Sequence, residues 1–254
     1  MIKIKLYSQE KVFNIRIPFF CTFNFSNLFI MKKIFITLAF LTSFGAIAQA
    51  NSDDLDALYR EDQFYFGFTY NTLTNTPEDF SQTGFSPGFK VGFIRDFPIN
   101  TKRTFALGLG LGYAFNTYSE NIKITESLET YTYELVSSST YQKNRFSHQA
   151  IEIPFEFRWR TSTPQEYRFW RIYAGFKASY AFASSYVYED DTASTRLKNV
   201  NLNQWQYGLT LSVGYNNWNG FLYYGLNPIF DDAVVGQEAL EAKSMKIGLM
   251  FYFL

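Results

Sequence analysis

The chain holds one cysteine and one histidine in 254 residues, and its 23 basic and 23 acidic residues cancel. A single thiol, Cys21, excludes an intrachain disulfide framework. His148 alone leaves little for acid–base or metal chemistry. Zero net charge gives no steering toward nucleic acid or acidic partners. The body of the chain has no run approaching the ~18 apolar residues of a spanning helix. What is abundant is aromatic: 29 Phe and 19 Tyr among residues that are 20% aromatic in total. Low charge, many aromatics and short alternating segments suit a barrel that crosses a membrane with strands.

The stretch FALGLGLGYAF, Phe105–Phe115, sets the pattern. Phe105, Leu107, Leu109, Leu111, Tyr113 and Phe115 alternate with Ala106, Gly108, Gly110, Gly112 and Ala114. Period two makes this a strand, with one apolar face and one face cut down to glycine. The apolar face is expected to meet lipid. The glycines are expected to leave lumenal room for long Arg, Lys and Glu side chains of other strands.

Eight segments read as strands: Phe64–Asn71, Gly84–Asp96, Thr104–Asn116, Gln149–Arg160, Arg168–Phe182, Gln204–Asn216, Gly220–Phe230 and Lys243–Leu254. Most are long enough to cross a bilayer when tilted. Short connections (97–103, 161–167 and 217–219) alternate with longer polar ones (72–83, 117–148, 183–203 and 231–242). That asymmetry predicts an all-β, eight-stranded antiparallel up-and-down transmembrane β-barrel, with short periplasmic turns and long outer loops. The longest loop, rich in Ser, Thr and Tyr, reads as a hairpin continuing the third and fourth strands, with a ligand-binding edge.

Parity sorts the side chains. Phe89, Val91, Phe93, the odd positions of 105–115, Ile151–Trp159, Trp170–Phe182 and Trp205–Tyr215 carry the outward set. Trp159, Trp170 and Trp218 fall beside short turns, where their rings suit the bilayer interface. The seventh strand, with Phe221, Leu222, Tyr223 and Tyr224 in succession, is ambiguous. Lys90, Glu152, Glu156, Arg158, Arg160, Arg171, Lys177 and Lys246 take the opposite parity and point to the lumen. An eight-stranded lumen is just filled by side chains, so these are expected to form a mixed-sign network. A conducting path or a lumenal ligand site is the alternative.

Met31–Ala50, MKKIFITLAFLTSFGAIAQA, has the basic start, apolar run and small-residue end of a secretory signal. Residues 1–30 then read as an upstream extension, 51–62 as a short periplasmic segment and 63–254 as the barrel. Both mature termini are expected in the periplasm and the protein in the outer membrane. The chain ends with Lys246, Gly248, Phe251 and Phe253 at the spacing of a carboxy-terminal signal for the barrel insertion machinery.

The run Gly92-Phe93-Ile94-Arg95-Asp96-Phe97-Pro98-Ile99-Asn100, leading into the glycine-alternating strand, resembles the PorT family of Bacteroidota outer-membrane barrels. Phe66–Asn71 and Asn227-Pro228-Ile229-Phe230 are similar to corresponding stretches, so the likeness covers most of 62–254. The resemblance implies a non-catalytic role supporting type IX protein secretion, with other secretion components as partners, and it transfers no catalytic residue. Arg95, Asp96, Asn100, Lys102 and Arg103 then form a candidate periplasmic docking turn. The plainer reading has Arg95 snorkelling to head groups while Asp96 caps the turn.

The other function class is a general structural or surface-binding barrel, in contact with outer-membrane lipid and lipopolysaccharide. An enzyme would need a base, an orienting acid and a nucleophile converging. His148, after Ser147, is the one candidate base, reads as a polar residue at the outer rim, and has no spaced partner. Neither Glu189-Asp190-Asp191 nor Asp231-Asp232 carries a calcium-loop pattern. No catalytic residue, metal, cofactor or nucleic-acid partner is expected.

Overall fold

A computed structural model describes residues 62–127, 130–161 and 170–253. The segments expected at 1–30, 31–50 and most of 51–62 lie outside them. The strands in chain order are β1 (Gln63–Thr74), β2 (Pro87–Pro98), β3 (Phe105–Ser119), β4 (Ile122–Ser127), β5 (Thr130–Leu135), β6 (Lys143–Arg160) and β7 (Trp170–Glu189). They continue with β8 (Ser194–Lys198), β9 (Trp205–Tyr215), β10 (Trp218–Gly225), β11 (Val234–Val235), β12 (Glu238–Ala239) and β13 (Lys243–Phe253).

Eight of these, β1, β2, β3, β6, β7, β9, β10 and β13, pair antiparallel, each with its neighbour in this order. The β6–β7 and β1–β13 pairings close the ring, so the expected eight-stranded barrel is the observed fold. Closure removes every edge within the ring, as hydrocarbon surroundings require of a sheet.

The turn end is compact. Asn216 takes φ 55° in the two-residue turn between β9 and β10, the backbone a tight hairpin needs. Between β2 and β3, Asn100 Oδ1 accepts from the Phe105 N–H and Arg103 takes φ 57°. The third turn, residues 162–169, lies outside the described residues.

At the loop end the longest loop continues the third and fourth strands as a hairpin, as expected. The ends of the fifth and seventh strands differ from the expected ones. The third strand runs to Ser119 and the fourth begins at Lys143, with Ser119 opposite Arg145. The fifth runs on to Glu189, seven residues past Phe182, and folds back as β8. The seventh, expected to reach Phe230, ends at Gly225. Residues 226–230 instead continue irregularly between the chain at 202–207 and Ala242, burying Ile229 and Phe230. The longest loop forms its own hairpin, β4–β5, and β5 pairs in parallel with β11 of the last loop through Tyr133 and Val235. The long polar loops together form a folded head with its own buried core.

Two interiors result. In the head, Leu73, Tyr118, Ile122, Ile124, Tyr133, Phe146, Tyr186, Ile229 and Phe230 form an apolar core. Below it the ring interior is polar and tyrosine-lined, with Tyr65, Tyr173, Phe221, Tyr223 and Tyr252 packed among charges.

Candidate functional site

The outward positions form an apolar belt. Phe93, Leu109, Leu111, Ile153, Phe155, Phe176 and Leu209 are each more than a third exposed. The ambiguous seventh strand resolves by packing: Phe221 and Tyr223 turn inward, Leu222 and Tyr224 outward. Gly208 explains why, since any Cβ there would collide with the Tyr223 ring.

All eight charges assigned to the lumen lie inside it, none more than 4% exposed. Seven of them form two groups, and Arg171 lies 5.9 Å from the Tyr173 ring centroid and 5.7 Å from that of Tyr252. Near the turn end, Asp96 holds Arg158 at 3.2 Å and Arg160 at 2.9 Å, and Arg158 Nε donates to Glu156 at 3.0 Å. The Arg158 guanidinium also stacks over Tyr173 at 4.4 Å. Midway up, Lys177 pairs with Glu152. Lys90 lies 3.8 Å from the Phe221 ring centroid and Lys246 lies 5.0 Å from that of Tyr223. Ion pairs this deep balance large desolvation costs against strong attraction, so they fix geometry more than they add stability.

Asp96 therefore does not cap the turn or face a docking surface. It has the even parity of Ile94, and strand alternation sends its wholly buried carboxylate to the arginines. Its own backbone N–H donates to Asp62 Oδ1 at 3.0 Å. Of the five residues of the candidate docking turn, Arg95 and Lys102 are exposed. Asn100 is used internally, and the Arg103 carbonyl accepts from Arg160 Nε at 3.0 Å.

His148 is likewise not at a rim. Its strand continues outward to Lys143, so the imidazole is buried, 5.9 Å from the Tyr118 ring and nearly parallel to it. Lys246 Nζ donates to Asn116 Oδ1 at 2.8 Å, which turns the Asn116 amide N–H toward His148 Nε2 at 3.2 Å. Ser147 points the other way and meets Ser185. Neighbours on a strand face opposite sides, so Ser147 and His148 cannot act on one atom.

The glycine face is only partly what the sequence suggests. Gly108 makes room for Arg158, as expected, but Gly112 faces the Tyr65 hydroxyl, and Gly110 faces Ile94 and Pro154. Pro154 has no N–H to give Gly110, so the β3–β6 ladder is interrupted between Leu109–Phe155 and Gly112–Glu152.

Sequence reasoning missed the stopper at the loop end. Tyr118, Phe146, His148 and Phe230 stack with ring centroids 5.5–6.1 Å apart. Tyrosines tie the loops above it: the Ile124 N–H donates to Tyr186 Oη, and Tyr133 Oη donates to the Asn201 carbonyl. The signal was present as Ile122, Ile124, Ile229 and Phe230 within segments otherwise polar.

A closed eight-stranded ring with an apolar belt outside and paired charges inside defines a membrane-spanning β-barrel. The chain belongs to the outer membrane protein beta-barrel domain family, which its residues 47–231 match, and it resides in the outer membrane. It is similar to Ail, the attachment invasion locus protein of Yersinia pestis, solved in complex with the heparin analogue sucrose octasulfate. That likeness has 12% identity, covers 77% of this chain and 100% of that one, and has a TM-score of 0.33. It is also similar to the N-terminal β-barrel domain of Pseudomonas aeruginosa OprF, at 8% identity over 77% and 100% of the chains, with a TM-score of 0.28. No curated protein matches the chain.

Proposed function

We propose that this is a closed, non-conducting barrel that works without catalysis, and that its working surface is the folded head, displayed outside the cell. One observation carries the reading: the ring is filled twice over, by ion-paired side chains in the membrane zone and by an apolar stopper above them. The head spends its long loops on a folded surface, which is what a structural or surface-binding barrel requires. The strand-to-loop asymmetry supports an outward head and periplasmic termini. Partners in this reading are the surrounding lipid and lipopolysaccharide. The insertion machinery would read Lys246, Gly248, Phe251 and Phe253, of which Phe251 and Phe253 lie on the lipid face.

Planar-bilayer recording should show no steady, salt-dependent conductance. A reproducible single-channel step would sink the closed reading. Orientation is checked separately by a Thr130→Cys variant treated with a membrane-impermeant maleimide. Labelling in intact cells is expected, and labelling only after permeabilisation would reverse the topology.

A second reading keeps the type IX secretion role, supported by the PorT-like run 92–100 and by the exposure of Arg95 and Lys102 at the turn end. Here the turns, not the head, meet other secretion components in the periplasm. A clean deletion should lower the export of secreted proteases and adhesins. Unchanged export would remove this reading and leave the first intact.

A further inference from the structure

The head carries two clefts on its flanks, and their chemistry differs. One, of about 310 Å³, lies between Ala181–Ser184 and Asn199–Gln204 and has no charged side chain in its lining. The other, of about 260 Å³, lies between Gly84, Ser119, Ser138 and the start of β6, and it contains Lys143 and Arg145 with no carboxylate in its lining. Much of the rest of the head is acidic, with Glu126, Glu134, Asp190, Asp191, Asp231 and Asp232 on its loops. Lys123, Arg196 and Lys198 also lie in the head, so the cleft is distinguished by two cations with no carboxylate in its lining.

We propose that this second cleft binds the phosphorylated sugar head group of a glycolipid in the surrounding outer leaflet. The inference rests on the outward orientation of the head argued above. Position is the first support. Lys143 and Arg145 share the parity of Ile151 and Ile153, which are lipid-facing at 39% and 42% exposure. Six residues separate Arg145 from Ile151, roughly 20 Å along a strand. With the usual barrel tilt the guanidinium stands about 15 Å above that level, over the hydrocarbon and among head groups. A soluble ligand needs no such continuity with the lipid-facing wall.

Availability is the second support. Arg145 makes one side-chain contact among the described residues, from Nε to Ser119 Oγ at 3.4 Å, so its terminal nitrogens are free for a bidentate phosphate. Lys143 meets Glu189 at 3.5 Å with both side chains more than a third exposed. Such surface pairs are weak, and a phosphate dianion is the stronger partner. Ser138 and Ser119 supply neutral hydrogen-bonding groups around the cations. The Gln142 amide, whose Nε2 donates to Asp191 at 2.8 Å, leaves its oxygen to accept from a sugar hydroxyl.

The test uses the full chain in uncharged detergent micelles doped with a monophosphorylated glucosamine-disaccharide lipid, or with the same lipid after phosphatase treatment. Lipid retention is read by native mass spectrometry. The wild type should keep the phosphorylated lipid at least tenfold better than the dephosphorylated one. Lys143→Gln/Arg145→Gln should lose that preference while keeping the heat-modifiable gel mobility of a folded barrel. If the double variant misfolds, Gln142→Glu adds a like charge to the same cleft and should give the same loss. Equal retention of both lipids, or an unaltered preference in the variants, overturns the proposal. Displacement of the lipid by inorganic phosphate at matched concentration also overturns it, because the site would then take free phosphate. Binding in micelles does not depend on orientation, so this failure is distinguishable from a failed surface-labelling experiment.

Discussion

The two halves of this barrel are built inside out relative to each other. In the membrane zone Phe93, Leu111 and Phe155 face outward while Arg158, Lys177 and Glu152 are buried. In the head the order reverses: Ile122, Phe146 and Phe230 are buried while Glu126, Asp191 and Asp232 face outward. The same strands pass through both, since β3, β6 and β7 run from one zone into the other. The chain therefore changes its inward residues from charged to apolar where its surroundings change from lipid to water. Water rewards apolar burial, whereas lipid gives apolar groups no reason to hide and polar groups every reason. If so, the two interiors should respond to damage in different ways.

The largest effect should follow Asp96→Ala. It removes the carboxylate shared by Arg158 and Arg160 and leaves Glu156, already paired to Arg158, against two buried guanidiniums. Breaking such a buried arrangement costs about 3–5 kcal/mol. Reversible urea unfolding in lipid vesicles, followed by tryptophan emission, should show the whole ring destabilised. An unchanged midpoint would show that the lumenal ion pairs do not hold the ring together.

Phe230→Ala should cost the head about 3 kcal/mol through lost burial and a cavity beside Tyr133 and Phe146. Its reach should be limited. Hydrogen exchange should quicken in β4, β5 and β11 while amides of the ring below stay protected. Equal loss of protection in both zones would mean that they fold as one unit, and the contrast between them would fail.

Acidity sharpens the comparison from the head side. Glu120, just beyond β3, is 3% exposed with no cation paired to it among the described residues. Burial pushes its carboxyl up to about 8 from an ordinary 4.5. The folded head then binds a proton that the unfolded head has already released. Its stability should be full below about pH 4.5 and fall as the pH rises to about 8, by up to ~1.4 kcal/mol per unit, or ~2 kcal/mol between roughly pH 5.5 and 7. Glu120→Gln should flatten that slope. Protease resistance of the head, measured at both pH values, would refute this if wild type and variant track each other.

What could be read in advance divides along the same boundary. Strict alternation between two solvents, lipid and a packed lumen, wrote itself into 105–115, 151–159 and 205–215, so the ring and its eight inward charges were legible. Parity was overridden at one place: Asp96 was placed by its nearness to a turn, although its even number already put it with Ile94 on the lumenal face. The head was not legible because its core is assembled from four loops distant in sequence. Tyr133 meets Val235 across about a hundred residues, and no local period records such a pairing. His148 was misplaced for a different reason. Its strand was expected to begin at Gln149, although the alternation runs on unbroken through Ala150, His148, Phe146 and Asn144, all of them buried.

The smallest and most local contrast lies within β3 itself, between adjacent residues that face the two solvents. A methyl group added at Gly112 would meet the Tyr65 hydroxyl, whose ring also lies against Gly92. Gly112→Ala must therefore push a buried ring that is 3% exposed and has Tyr252 6.4 Å away on its far side. Overpacking of this kind costs about 1–2 kcal/mol when a side chain can partly give way. Leu111→Ala removes more atoms, but Leu111 is 61% exposed on the belt. Lipid chains fill the space that it leaves, so the loss should stay below about 1 kcal/mol, less than for a buried leucine. Adding one carbon inward should thus harm folding more than deleting three outward, when both variants are refolded into the same vesicles. The reverse ranking would mean that the glycine face exists to let strands approach each other, and not to seat Tyr65.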